Sequence, residues 1–488
     1  GVKDFVGVFF GTYHDKINGF GFYVTPLGEQ FDAKYSNTAG EDGSWNGVWD
    51  SEAKLQADGW SFEMRIPYSA LRFSNEPNQT WGLNITRRRN KTGQQYMWSP
   101  VDQKINNFMS QEGTWTGIQN IEPPVRLSLS PYFSAYANHY PANQKDVKNL
   151  TNSINGGMDL KYGISQSFTL DMTLIPDFGQ VQSDNQVLNL SPFEVKFNEN
   201  RAFFTEGTEL FSKGNLFYSR RIGSQPIHYW DVQDTTSIYP HMNGNEKLLK
   251  NPAESKLINA TKISGRTKKG LGIGFFNAIT KPMYARVEDD LKNVREIQTA
   301  PLANYNILVL DQTLKNNSSI SLINTNVLRN GRDYDANVSA FVFDFNNKKN
   351  TYGLNGNASV SNIGKATGKN VVGYAHAVSL NKTAGNFLFT LSQELFDDKY
   401  DKNDLGILFN NNYIDHYLWA SYRILKPKNW YNRIQFNYNG TLSRRFKPGD
   451  HQIFYTNVNA NVQFKNLWWM GLWVGLNAKG NDFYEPRM

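Results

Sequence analysis

Trp45 and Trp49 stand four residues apart, so in an extended strand both rings fall on one face, with Asp42 and Asp50 flanking them. Aromatic rings stack on the apolar faces of sugars and carboxylates accept hydrogen bonds from hydroxyls, which gives this group the chemistry of a saccharide platform. The same two rings can fill a β-sandwich core instead. Core packing is the stronger reading of the two, and stronger still for Trp60 and Trp81. A second set, Glu194, Glu199, Arg201, Glu206, Arg220 and Arg221, lies in the stretch 176–221 among Phe193, Phe197, Phe203, Phe204, Phe211 and Phe217. That stretch is too long and too apolar for a solvated loop, and connections of such length usually have a function or pack somewhere. Within a barrel lumen its charges would pair with polar wall residues. The alternative is a cap on the outside, packed on itself.

Catalytic chemistry finds no support. The seven histidines, His14, His139, His228, His241, His376, His416 and His451, never fall at metal-ligand spacing. Cysteine is absent, which excludes thiolate nucleophiles, disulfide frameworks and Cys-ligated metals. There is no nucleophile elbow and no Walker sequence. Gly270, Gly272 and Gly274 resemble a phosphate loop only superficially, since they sit inside a strand pattern and call for close packing instead. The acidic run 397–404 lacks the central Gly and terminal Glu of a calcium loop. We therefore expect no enzyme activity, no cofactor and no metal. The net charge of +7 is scattered in short groups such as Arg87, Arg88 and Arg89, which read as solvated turns and give no nucleic-acid surface.

The elements that must carry these residues are strands. From Arg433 to Asn439 the apolar Ile434, Phe436 and Tyr438 alternate with Arg433, Gln435, Asn437 and Asn439, and the rhythm returns at 454–465. Similar segments fall at 125–140, 151–164, 166–175, 256–267, 270–283, 302–314, 318–329, 333–346, 351–362, 370–382 and 386–396, with several more to the end. Their connections are short at 165, 268–269, 315–317, 347–349 and 383–385, and long at 141–150, 176–255 and 284–301. A train of one-sided strands with alternating short and long connections predicts an all-β, transmembrane antiparallel β-barrel of about 14 to 18 strands, oily outside and watery inside. Mean hydropathy is −0.56 and no apolar run approaches the roughly 18 residues of a spanning helix, so strands alone would cross. Aromatic residues make up 14% of the chain, and Trp419, Tyr422, Trp430, Tyr431, Trp468 and Trp469 crowd strand ends as an interfacial girdle would. The region before Pro123 differs: tryptophans are spread among short strands and turns, which predicts a partial β-sandwich over 1–122, with the barrel over 125–488 and a long inserted loop at 176–255.

The run from Asp58 to Phe73, with Gly59-Trp60, Glu63-Met64-Arg65-Ile66-Pro67 and Leu71-Arg72-Phe73, followed by Trp81-Gly82-Leu83-Asn84, resembles carbohydrate-binding sandwiches of the family-nine-like class. A second set of blocks, 175–181, Asn198 to Gly207 and Tyr218 to Gly223, resembles a family of outer-membrane proteins that carry such a module before a barrel of unknown function. Gln182 and Ala202 depart from that family's pattern, where an acid and a proline are common. The resemblance implies an interior piece of a larger protein, N-terminally truncated in its sandwich.

Taken together these features lead us to expect a non-enzymatic outer-membrane barrel for passage or capture of a solute, with a glycan relation implied by the module. A structural subunit of an envelope assembly, for protein export, barrel assembly or nutrient uptake, is the alternative, with the sandwich as a protein-binding surface. The expected partners are outer-membrane lipid, a glycan and envelope proteins. The setting is the outer membrane of a Gram-negative cell, with the N-terminal module periplasmic or in the lumen.

Overall fold

The computed structural model describes all residues except 1–2, 17, 37–39, 44, 46, 75, 106–107, 123–126, 140–149, 166, 177–186, 206, 268, 365–367, 482 and 484–488. Glu206, Gln182 and most of the 175–181 block therefore lie outside the described residues.

The N-terminal unit contains β1 (Phe5–Gly11), β2 (Asn18–Val24), β3 (Gln30–Ser36), β4 (Gly40–Asp42), β5 (Asp50–Leu55), β6 (Trp60–Arg65), β7 (Asn78–Arg89), β8 (Gln94–Met97) and β9 (Gly113–Gln119). One sheet runs β4-β3-β2-β1-β7-β8, with β9 also paired to β7, and β5 and β6 form a separate hairpin. Phe10, Phe20 and Phe22 alternate inward from the sheet and meet Trp49, Leu71, Phe73, Trp81 and Ile118. Two of the indoles are anchored by polar partners inside this core, as buried indole N–H groups require. Trp81 donates to Gln79 Oε1 at 2.8 Å and Trp49 to Asp32 Oδ2 at 2.8 Å.

The second array is a sheet of 15 strands curved into a half-barrel. Its strands are β10 (Leu127–His139), β11 (Leu150–Tyr162), β12 (Phe168–Leu174), β14 (Leu257–Arg266), β15 (Leu271–Thr280), β18 (Ala303–Thr313), β19 (Ser319–Arg329) and β20 (Ala336–Asn346). It continues through β21 (Tyr352–Ile363), β22 (Val371–Lys382), β23 (Phe387–Phe396), β24 (Tyr413–Ile424), β25 (Tyr431–Arg445), β26 (His451–Phe464) and β27 (Trp469–Gly480). Every neighbour is antiparallel and follows in chain order, interrupted only by a small sheet of β13 (Glu246–Lys250), β16 (Met283–Asp289) and β17 (Val294–Ala300). This is an all-β fold of the transmembrane barrel type, and the strand count falls inside the expected range. The connection expected to be long at 284–301 carries β16 and β17 of this small sheet.

Tight turns gather at one end. Asn316 and Asn317 take φ of 59° and 55° between β18 and β19, where a short polar side chain tolerates the left-handed region best. Gly385, at φ 93°, serves the turn between β22 and β23, and its N–H donates to the carbonyl of Lys104 at 3.2 Å. Leu467, in the turn before β27, lies against Gly93. The N-terminal unit therefore meets the sheet at its tight-turn end.

Phe436, Tyr438, Val458, Leu391 and Leu322 are exposed on the outer face, as the alternation predicts. On β25 and β26 the opposite face carries a ladder of carboxamides, with Asn437 donating to Asn459 at 2.7 Å and Asn439 to Asn457 at 2.9 Å. On β14 to β20 the expected polarity fails. There the inner face is Ala260, Phe276, Ala278, Ile307, Val309, Ile323 and Val338, all buried, because a loop rather than water covers it.

Candidate functional site: a loop seated on the inner wall

The covering loop leaves β12 and returns at β14. Phe204, Leu210, Phe211, Leu216 and Ile222 from the loop join the inner-face residues of β14, β15 and β18 to β20 in one apolar cluster. Glycine makes the fit close: a Cβ built on Gly274 would come within 3.2 Å of the Phe211 ring, and one on Gly272 within 3.1 Å of Leu210. The glycines of β15 thus admit the loop, where the sequence pointed to close packing without saying against what.

Charged anchors pin the loop to the wall. Lys213 pairs with Asp311, an inward residue of β18 that is 1% exposed, and Asp311 is also met by Arg266 and by Ser321 Oγ at 2.6 Å. Lys262 of β14 donates to the carbonyl of Phe203 and holds its ammonium 4.5 Å from that residue's ring centroid. A buried carboxylate is tolerated only when so compensated.

A second loop, 397–412, turns inward and clasps the first. Tyr218 N–H donates to Leu405 O at 2.6 Å, Lys402 Nζ to Asn215 O at 2.9 Å and Arg221 Nε to Gly406 O at 2.8 Å. The clasp is tied to the wall by Arg329 and Asp404 at 2.5 Å, both nearly buried. Burial, offset in part by Glu394, holds the Lys402 ammonium below the ordinary lysine range.

The charged residues singled out in the loop pair mainly with each other and with the clasp, not with the wall. Arg201 grips Glu199 in bidentate fashion at 2.8 and 2.6 Å and donates to the carbonyls of Ile222 and Ser219, both at 2.9 Å. Burial works against the Glu199 carboxylate, yet hydrogen bonds from Arg201 and Ser219 hold its pKa below the usual value. Arg221 holds Glu194 at 2.7 Å, and Arg220 donates to Asn198 O at 3.0 Å. The wall contacts come from Lys213, Asp311, Arg266 and Lys262, which sequence reasoning missed. The one available signal was a charged residue on an otherwise small and apolar strand face, as with Asp311 beside Val309 and Ile307.

In the N-terminal unit, Trp49 is 7% exposed and packs edge-on against Phe22, while Trp45 packs on Phe20 and Phe22. Trp49 lies in the core, and Trp45 is half-buried against it. Asp50 is exposed at the start of β5 and Asp42 ends β4, whereas the carboxylate that meets Trp49 is Asp32.

Beyond the seated loop the inner wall is open to polar chemistry. Asn355 and Asn357 of β21, Asn381 of β22, Tyr417 of β24 and the ladder on β25 and β26 share its face. Among the described residues no cluster of His, Asp and Glu fits a metal ion.

A family model described as a domain of unknown function (DUF5916) matches residues 123–488. No curated protein matches the chain. Among solved structures, OpdK of Pseudomonas aeruginosa with vanillate is similar at TM-score 0.29 and 7% identity over 99% of this chain and 94% of that one. OccK5 (OpdH) of the same organism gives 0.31 and 8% over 98% and 92%, and a BenF-like porin from Pseudomonas fluorescens Pf-5 gives 0.30 and 8% over 99% and 94%. Likeness at that level decides neither fold nor function.

Proposed function

The chain belongs to the DUF5916 family, a domain of unknown function, and from that premise we propose a non-enzymatic outer-membrane barrel that passes or captures a solute and is narrowed by its own inserted loop. The observation that carries the reading is the division of the inner wall. One sector, β14 to β20, is largely apolar and sealed by the loop, and the next, β21 to β26, presents carboxamides and hydroxyls, with the carboxylates Glu394 and Asp415 opposite each other on β23 and β24. An inner face of that kind beside an exposed apolar outer face is what a water-filled passage through lipid needs. Carboxamides both donate and accept hydrogen bonds, which suits a hydroxyl-rich solute such as a glycan. The N-terminal unit keeps the elements that resemble a carbohydrate-binding sandwich: Leu71, Phe73 and Trp81 lie in its core. Barrel turns are short on the periplasmic side, so contact with the tight-turn end supports a periplasmic position for this unit in a Gram-negative cell.

Replacing residues 183–210 with a short Gly/Ser linker tests the proposal. Single-channel conductance in planar bilayers should rise while the barrel stays folded. The tight seating of the loop also favours a second reading, a structural subunit of an envelope assembly whose lumen never opens. Unchanged conductance in the linker variant would support that reading against passage.

A further inference from the structure

The open sector of the inner wall carries aromatic rings as well as carboxamides. Trp419 of β24 lies opposite Asn439 of β25, and Trp473 of β27 lies opposite Asn459 of β26, so both indoles share the face of the carboxamide ladder. Barrel tryptophans ordinarily gather where strands leave the membrane, on the lipid side. These two sit near the middle of their strands and face the lumen, which takes Trp419 out of the girdle expected for it. Trp473 is 59% exposed. Its neighbours on the same face of β27 are Gly471 and Gly475, and a Cβ built on Gly475 would fall 2.4 Å from Cζ2 of the indole. The ring therefore leans over a position that only glycine leaves free. A glycine in a strand interior weakens the strand and often marks a place where another group comes close. Trp419 is half-buried, and Tyr417 beside it on the same face donates to Asn439 Oδ1 at 2.8 Å. Three strand spacings, about 14 Å, separate the two indoles, and the ladder fills the interval.

The ladder is fixed in place and still has capacity to bind. Gln435 donates to Asn437 Oδ1 at 2.9 Å, Asn461 to Asn459 Oδ1 at 3.1 Å and Asn457 to the Tyr455 hydroxyl at 3.2 Å, beside the two cross-strand bonds already described. Among the described residues each asparagine of the ladder gives one N–H to the wall, and a carboxamide has two. Side chains held by one another lose little freedom when a ligand arrives. Charged residues flank the stretch, with Glu394 and Asp415 on the long-loop side and Arg423 and Arg433 on the tight-turn side. Between them the face is neutral. Indole faces stack on the apolar faces of sugar rings, and carboxamides both donate to hydroxyls and accept from them.

We propose that Trp473, Trp419 and the ladder between them form a binding track for a neutral oligosaccharide, with one sugar ring stacked on Trp473 and its hydroxyls met by Asn459 and Asn437. The proposal rests on the reading of the barrel as a passage or trap for a solute and gives that solute its chemical class. The site lies in the lumen, apart from the N-terminal unit.

Calorimetry of the full chain in mild detergent, titrated with maltotriose, cellotriose and laminaritriose, should show binding of at least one. Trp473→Ala should weaken that binding by about tenfold or more, and Trp473→Phe, which keeps a ring, should recover most of it. Asn459→Leu should weaken it too, whereas Trp230→Ala, at a tryptophan 73% exposed in the loop between β12 and β14, should leave it unchanged. Anomalous migration of the unboiled protein on gels reports that each variant barrel is folded; if Trp473→Ala does not fold, Asn459→Leu decides. Binding that survives these changes in a folded barrel, or no binding of any of the three sugars at millimolar concentration, overturns the track. A barrel that conducts in planar bilayers but binds none of them keeps the passage and loses the track, whereas sugar bound at Trp473 with no conductance in the wild type or the linker variant keeps the track and removes the passage.

Discussion

Placing a side chain on Gly274 unseats the loop without altering the loop itself. A Cβ there would lie 3.2 Å from Cε1 and 3.3 Å from Cζ of Phe211, and 3.3 Å from Cβ of Leu210. The two methyl groups of Gly274→Val then have no room, and overpacking of this kind costs about 1 to 3 kcal/mol. The wall gains from the change, because a glycine in a strand interior is weaker than alanine by about 0.5 to 1 kcal/mol. The penalty therefore falls on loop seating, and about 1 to 3 kcal/mol moves the ratio of seated to unseated states by about 5 to 150-fold. Planar-bilayer recordings should show more frequent or longer open events for Gly274→Val, from a barrel that still migrates anomalously on gels unless boiled. Phe211→Ala should act in the same direction, since the ring is fully buried and its loss costs about 3 to 5 kcal/mol. The two together should open the channel less than their separate effects added, because removing the ring relieves the clash the valine makes. A folded Gly274→Val barrel with wild-type conductance would refute the claim that the seated loop limits passage.

Phe436→Arg sets a charge on the exposed outer face of β25 and should cost about 2 to 4 kcal/mol near the midplane, whereas Asn437→Arg on the inner face should be far milder in urea unfolding from lipid; equal losses would reject the facing of β25. Trp49→Ala should lower the melting temperature of the N-terminal unit by the equivalent of about 3 to 5 kcal/mol, since it empties core volume and strips Asp32 of a donor; an unchanged melt with lost glycan binding on an array would instead favour the saccharide platform. Glu112 is wedged against Gly11 and Gly82, and burial, with repulsion from Asp15 and against Lys16, pushes its pKa from 4.5 up to about 7. Between those values the folded state holds a proton that the unfolded chain has released, so stability should fall as pH rises from about 4.5 to about 7, and calorimetry of Glu112→Gln at pH 5 and pH 8 should show that slope flattened.

The strands were legible because a period of two survives whatever covers either face. Segments expected at 318–329, 351–362 and 370–382 match β19, β21 and β22 within a residue or two. The sign of the alternation was not legible. On β18, Ala303, Tyr305, Ile307 and Val309 alternate with Asn304, Asn306, Leu308 and Leu310, and no local rule says which set meets lipid. The deciding fact is a loop some hundred residues earlier in the chain, which makes the apolar set the inner one. The loop's burial was readable from its phenylalanines, but its anchors were not, because Lys213 and Asp311 come together only when the sheet curves. Trp49 was ambiguous for a similar reason: its spacing to Trp45 fits a platform as well as a core, and what the structure adds is Asp32, seventeen residues away, as the acceptor of its indole.

The apolar sector under the loop has a thermal consequence. Were the loop to leave, Ala278, Ile307, Val309, Ile323 and Val338 would be wetted, and hydrating apolar surface raises heat capacity by about 0.45 cal/K/mol for each Å² exposed. Opening would then have an enthalpy and an entropy that both change with temperature, and a plot of open probability against temperature would bend rather than follow a single slope. The barrel would sense warmth and cold through the wetting of its own wall, with no dedicated sensor segment.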